Sequence, residues 1–130
     1  MSMSDVGIAE VRGVALTITP AMEEGRVVVQ LQGNADMDGH TLLVDFLQKI
    51  HAHTKRGKTT EVVIDIRGLY FMNSSCLNAL IRWINNVRSM PLDARHRITF
   101  LSNSKLPWQA KSLRSIKCFA DELIVVQCAS

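Results

Sequence analysis

The chain is expected to fold as a single α/β domain: a mixed sheet of about five strands, an N-terminal β-hairpin and three to four helices. Three observations predict this. Two runs rich in β-branched residues, 14–19 and 27–32, lie close together across a short polar turn. Two later segments carry apolar residues at helical spacing. Strand-like and helix-like segments then alternate, giving the order β-β-α-β-α-β-α-β. A helix between successive strands implies parallel pairing through right-handed crossovers, while the hairpin adds an antiparallel element.

The first strand, residues 14–19 (VALTIT), alternates in polarity and is expected to end at Pro20, before the turn MEEG. Residues 27–32 (VVVQLQ) form the second, stopped by Gly33-Asn34. After NADMDGH, residues Leu42, Leu43, Phe46, Leu47 and Ile50 share one face of a helix over about residues 39–53. The linker TKRGKTT leads into residues 61–66, a continuous apolar run that predicts a strand covered on both faces. Leu77, Leu80, Ile81, Ile84 and Val87 mark a second amphipathic helix, ended by Pro91. Residues 98–101 are a fourth strand. Ser104 and Pro107 supply a cap and a first-turn proline for a third helix carrying Leu113 and Ile116. Residues 123–126 (LIVV) complete the sheet. The domain is placed at residues 14–127, with residues 1–13 as a flexible N-terminal segment.

The 130 residues suffice for one hydrophobic core. No apolar run approaches the ~18 residues of a membrane span, and the first residues lack the pattern of a secretory signal. Three cysteines without a CxxC spacing argue for reduced thiols and a cytoplasmic protein. The net charge of +3 is mild, and its densest cluster, Lys55-Arg56-Lys58, sits in a Gly-containing linker. It reads as a solvated loop; no nucleic-acid partner is expected.

Signatures of catalysis are absent. There is no GxGxxG, no GxxxxGK[ST] and no GxSxG. His51 and His53, two apart on a helix, point away from each other, and His40 with Asp36 and Asp38 fits turn and cap chemistry better than a metal site. Neither enzyme activity, metal nor cofactor is expected.

The stretch LYFMNSSCLNAL, residues 69–80, places Asn73, Ser74 and Ser75 between a strand and a helix. One of Asn73 and Ser74 is expected to cap the helix, a contribution of about 1 kcal/mol. A hydroxyl here is also accessible to another protein. A phosphate on Ser74 would meet the positive end of the helix and change the surface without unfolding the domain.

Residues 65–77 (DIRGLYFMNSSCL) resemble the signature of the STAS domain, as found in bacterial anti-sigma factor antagonists. That signature is a buried strand ending in Asp, then Phe-Met/Ile-Asp-Ser-Ser/Thr-Gly-Leu at a helix start. Gly33-Asn34-Ala35-Asp36 with Thr41 is similar to the family's Gly-Glu-Leu-Asp…Thr segment, with two extra residues. The resemblance spans about residues 14–127. It implies a STAS-like fold and a regulatory module of a partner-switching pathway. Its partners would be a serine-kinase anti-sigma factor with a histidine-kinase-like ATPase fold and a PP2C-type phosphatase. Ser74 aligns with the phosphorylated serine; Asn34, Asp36, Asp38, Asn73, Ser75, Cys76 and Asn78 fall on the implied docking surface.

Two positions depart from the pattern. Asn73 replaces the family's Asp, and Cys76 replaces its Gly, putting a side chain where a partner would otherwise approach the backbone. Cys76 is read as a small, partly buried residue, with a redox-active thiol of lowered pKa as the alternative. Both departures favour a second reading, a STAS scaffold or transporter-associated subunit that is never phosphorylated. A small-ligand sensor is a third. Trp83 or Trp108, if exposed, would mark a contact patch.

Overall fold

The computed structural model describes residues 8–56 and 59–129, so Lys58 and residues 1–7 lie outside it. Its elements are β1 (Val11–Arg12), β2 (Leu16–Glu23), β3 (Arg26–Ala35), α1 (Met37–Thr54), β4 (Glu61–Met72), α2 (Ser74–Arg88), β5 (Arg97–Asn103), α3 (Pro107–Phe119) and β6 (Ile124–Ala129). A 3-10 turn at Leu92–Ala94 precedes β5. The six strands lie side by side in chain order. β1, β2 and β3 pair antiparallel, while β3 through β6 pair parallel. The α/β class, the hairpin and the helix count agree with the sequence reading; the sheet has one strand more.

The extra strand lies within the stretch expected to be flexible. Val11 and Arg12 pair with Ile18 and Thr17 of β2, and Ile8 is buried. Pro20 does not end its strand as expected. It pairs opposite Val29, and β2 continues to Glu23. Because β1 covers only Thr17 and Ile18, β2 is an edge strand at Pro20, where a missing N–H is tolerated. The turn is Glu24-Gly25, with Gly25 at φ 71°, closed by the Glu23–Arg26 pair.

Gly33-Asn34 does not stop β3 either, which runs to Ala35. Gly33 adopts φ 94°, and a Cβ there would collide with the Ala15 carbonyl oxygen. That same oxygen accepts from the Asn34 N–H at 2.9 Å. The glycine thus kinks the strand without ending it.

The core takes alternate residues from each strand: Leu16 and Ile18, Val27, Val29 and Leu31, Val62, Ile64 and Ile66, Ile98 and Phe100, Ile124. Leu43, Phe46, Leu47 and Ile50 of α1 pack on them, with Leu80, Trp83, Ile84 and Val87 of α2 and Leu113 and Ile116 of α3. One contiguous cluster joins all three helices to a single face of the sheet. Both faces of β4 are buried through residues 62–66, as the apolar run predicts. On the reverse face, however, Val63 and Asp65 lie between half-buried neighbours such as Val28, Gln30 and Leu101.

β4 departs furthest from expectation, extending six residues beyond Ile66 to Met72. Its pairing with β5 ends at Asp65–Leu101, but pairing with β3 continues to Ala35–Met72. Two register shifts interrupt that pairing, each leaving β4 with one extra residue opposite β3. Such bulges re-aim side chains and strengthen local twist.

Candidate functional site at the start of helix α2

Strands β3 and β4 end side by side, and each hands over to a helix through a polar cap. Ala35 pairs with Met72, and the next residues are Asp36 and Asn73. Asp36 Oδ1 accepts from the N–H groups of Asp38 at 3.1 Å and Gly39 at 3.2 Å, capping α1. Asn73 Oδ1 accepts from Cys76 N–H at 2.8 Å, capping α2. The Asn73 N–H in turn donates to the Ala35 carbonyl at 2.9 Å, locking the two handovers together.

The cap of α2 is therefore Asn73 and not Ser74. Ser74 is the first helical residue, exposed, and its hydroxyl makes no hydrogen bond among the described residues. The amide oxygen of Asn73 does the capping that the family's carboxylate would do, without adding a charge beside Ser74. No acidic residue lies in the first turn of α2. Ser75 and Asn73 are half-buried and Asn78 is exposed; across the surface Asn34 and Asp38 are exposed and Asp36 is half-buried. The structure thus gathers the residues picked from sequence at one end of the sheet.

Cys76 is placed differently from the rest. Its side chain is fully buried, and its Sγ–H donates to the Asp36 carbonyl oxygen at 3.6 Å. Burial and the nearby Asp36 charge push its thiol pKa up, opposite to the lowered pKa of a redox-active thiol. The substitution of the family's Gly therefore adds bulk to the interior between the two caps and leaves the surface beside Ser74 open.

Exposed apolar side chains surround these caps. Met37 opens α1, and Tyr70 and Phe71 lie just before the α2 cap; they are 70%, 64% and 49% exposed. Val14, also exposed, adjoins Ala15, whose carbonyl holds Asn34. Large apolar groups left in water carry a cost that contact with another molecule relieves. The tryptophans contribute nothing to it: Trp83 is buried and Trp108 half-buried against the core.

The extension of β4 that carries the site is held by Gln109, a residue the sequence reading did not single out. Its side chain is fully buried. Nε2 donates to the carbonyls of Ile66 at 2.6 Å and Leu69 at 2.9 Å, and Oε1 accepts from Asn103 N–H at 2.7 Å. These groups lie where β4 has left β5 and its ladder partners are gone. α3 itself starts at Pro107 with Leu106 at the cap position, and no side-chain cap bond forms, so Ser104 does not play the expected role. Asp65, buried at the first bulge, is answered by Arg67 through its backbone N–H and through Nε and Nη2 of its guanidinium. Burial pushes the Asp65 pKa up, but the Arg67 hydrogen bonds outweigh it and hold the carboxyl below its usual range.

Comparison with known proteins decides the family. The family model described as "Mlab, STAS domain" matches residues 18–93, more than half of the chain. The protein belongs to the STAS domain family. Domains of this kind are non-enzymatic. No curated protein matches the chain. Among solved structures, this STAS domain is similar to an anti-sigma factor antagonist from Mycobacterium paratuberculosis. That match has 14% identity, a TM-score of 0.65, and coverage of 89% of each chain. It is also similar to the anti-sigma factor antagonist SpoIIAA in its unphosphorylated form, with 18% identity, TM-score 0.57, and 85% and 87% coverage. The phosphorylated form of the Bacillus cell fate determinant SpoIIAA matches with 15% identity, TM-score 0.58, and 87% and 91% coverage. At these identities the shared property is the fold. Among the described residues, no helix is long and apolar enough to cross a membrane, and no three His, Cys, Asp or Glu side chains gather as metal ligands.

Proposed function

We propose that this STAS domain is an anti-sigma factor antagonist-like module of a cytoplasmic partner-switching pathway, switched by phosphorylation of Ser74. In the unmodified state it binds a serine-kinase anti-sigma factor with a histidine-kinase-like ATPase fold. The kinase modifies Ser74 and loses affinity, and a PP2C-type phosphatase restores the hydroxyl. The observation that carries this reading is the disengaged Ser74 hydroxyl: Asn73 has taken over the cap, so modification breaks no hydrogen bond. A phosphate there carries roughly −1.5 to −2 charges and is accommodated by the positive end of α2. The same charge would stand beside the apolar surface of Met37, Tyr70 and Phe71 and oppose its burial by a partner. Asn34, Asp36, Asp38, Ser75 and Asn78 complete the proposed docking surface, with Asn73 and Cys76 shaping it from beneath.

The test is incubation with the cognate kinase and ATP, followed by peptide mapping and binding measurements. Phosphate should appear on Ser74 alone, Ser74→Ala should keep kinase binding but accept none, and Ser74→Asp should bind more weakly. Phosphate only at other residues, with Ser74→Ala indistinguishable from wild type, would refute the switch. Asn73 in place of the family's Asp supports a second reading, a constitutive STAS scaffold or transporter-associated subunit. Intact-mass measurement of protein from its own host separates the two: a species never heavier by one phosphate under any growth condition favours the scaffold.

A further inference from the structure

A groove between α1 and α2, set back from the Ser74 surface, has the composition of a ligand site. It encloses about 350 Å³, at the lower end of the ~300–1,000 Å³ of small-molecule pockets. Val44, Leu47 and Ala79 form apolar walls, and His51, Lys55 and Arg82 add basic groups. Among the described residues no carboxylate lines it, and neither Lys55 nor Arg82 makes an ion pair.

An unanswered donor lies in the same wall. Trp83 is 3% exposed, and its Nε1 is buried with no partner. An indole N–H can only donate, so what it lacks is an acceptor. The Nδ1 of His51 is likewise buried and unbonded. Buried polar groups in native proteins almost always find partners; Trp83 and His51 both line the groove and each carries a ring nitrogen without one among the described residues.

We infer that this groove binds a small carboxylic acid with an apolar body, of the class of a medium-chain fatty acid. The apolar body lies along Val44, Leu47 and Ala79. The carboxylate is balanced by Lys55 and Arg82, and the body lies against the ring of Trp83. A phosphate group fits less well, because a dianion needs several converging N–H donors and these walls are largely apolar. This inference is independent of the phosphorylation switch, since none of the groove residues belongs to the Ser74 surface.

Nuclear magnetic resonance of the full chain labelled with nitrogen-15 tests it directly. The two tryptophans give two indole N–H signals, and Trp108→Phe assigns the remaining one to Trp83. Decanoate below its micellar concentration should shift the Trp83 indole signal saturably, and more tightly than decanol. Arg82→Gln, an exposed substitution, should weaken decanoate binding by about two- to five-fold while leaving decanol unchanged. Acetate, which has the charge without the body, should not bind. An unmoved Trp83 signal, or equal affinity for decanoate and decanol, overturns the assignment; the remaining amide signals report that each variant is folded.

Discussion

Replacing Gln109 with leucine should be among the most destabilising single changes near the site, although the residue touches no partner surface. The substitution puts an apolar side chain of similar size in its place and removes three hydrogen bonds, to Ile66, Leu69 and Asn103. Each is worth about 1 kcal/mol net, and stranding buried carbonyls and an N–H raises the cost toward about 1–3 kcal/mol for each group. Solvent reaching the loosened strand recovers part of this, so a total of about 3–5 kcal/mol is expected. For a domain between the size classes that lose about 2–4 °C and about 4–8 °C per kcal/mol, the melting temperature should fall by about 10–20 °C. Thermal melts followed by circular dichroism measure it. Amide exchange adds the local readout: Leu69 to Met72 should exchange faster relative to the centre of β4. A drop below about 3 °C, with exchange unchanged, would show that the β4 extension does not depend on this clamp.

The other predictions concern the caps and buried titrating groups. Asn73→Ala should cost about 1 kcal/mol in urea unfolding through loss of the Cys76 N–H bond, while Asn73→Asp should retain the cap. His96 has its pKa pushed down to about 4 by burial and by His51. The unfolded chain takes up that proton near the ordinary value of 6.5, so the unfolded state binds more protons between pH 6.5 and about 4. Stability should therefore be full above this window and fall by up to about 3 kcal/mol as pH drops through it; His96→Gln should flatten that slope. A thiol reagent should label the exposed Cys118 and Cys128 in the native protein and reach Cys76 only on unfolding; rapid labelling of all three would contradict the buried thiol between the caps.

Much of this was written locally in the chain. The apolar period of α1 and α2 and the β-branched runs placed the helices and the strand cores, because those patterns depend on one face alone. Strand ends were less legible. Pro20 and Gly33 look like terminators, yet one sits on an edge and the other in a kink, and both depend on which strand lies alongside. The tail of β4 was hidden because its bulges break the alternation by which a strand is recognised. The site was legible where it uses a motif, at Asn73 and Ser74. Gln109 was not, since a lone glutamine in a helix looks like a surface residue until the carbonyls it serves are brought to it from 40 and 43 positions away.

The arrangement of the sheet carries a consequence for how the molecule is made. Every strand lies beside its predecessor in the chain, so no strand must wait for a partner synthesised later. A chain emerging from its N-terminus can close the hairpin first and then add one crossover unit at a time. The contacts formed at each step span a single connection, which keeps the loop entropy of each closure modest. The segment bearing Ser74 is laid against β3 before α3 exists, and the glutamine that secures it arrives afterwards as a latch.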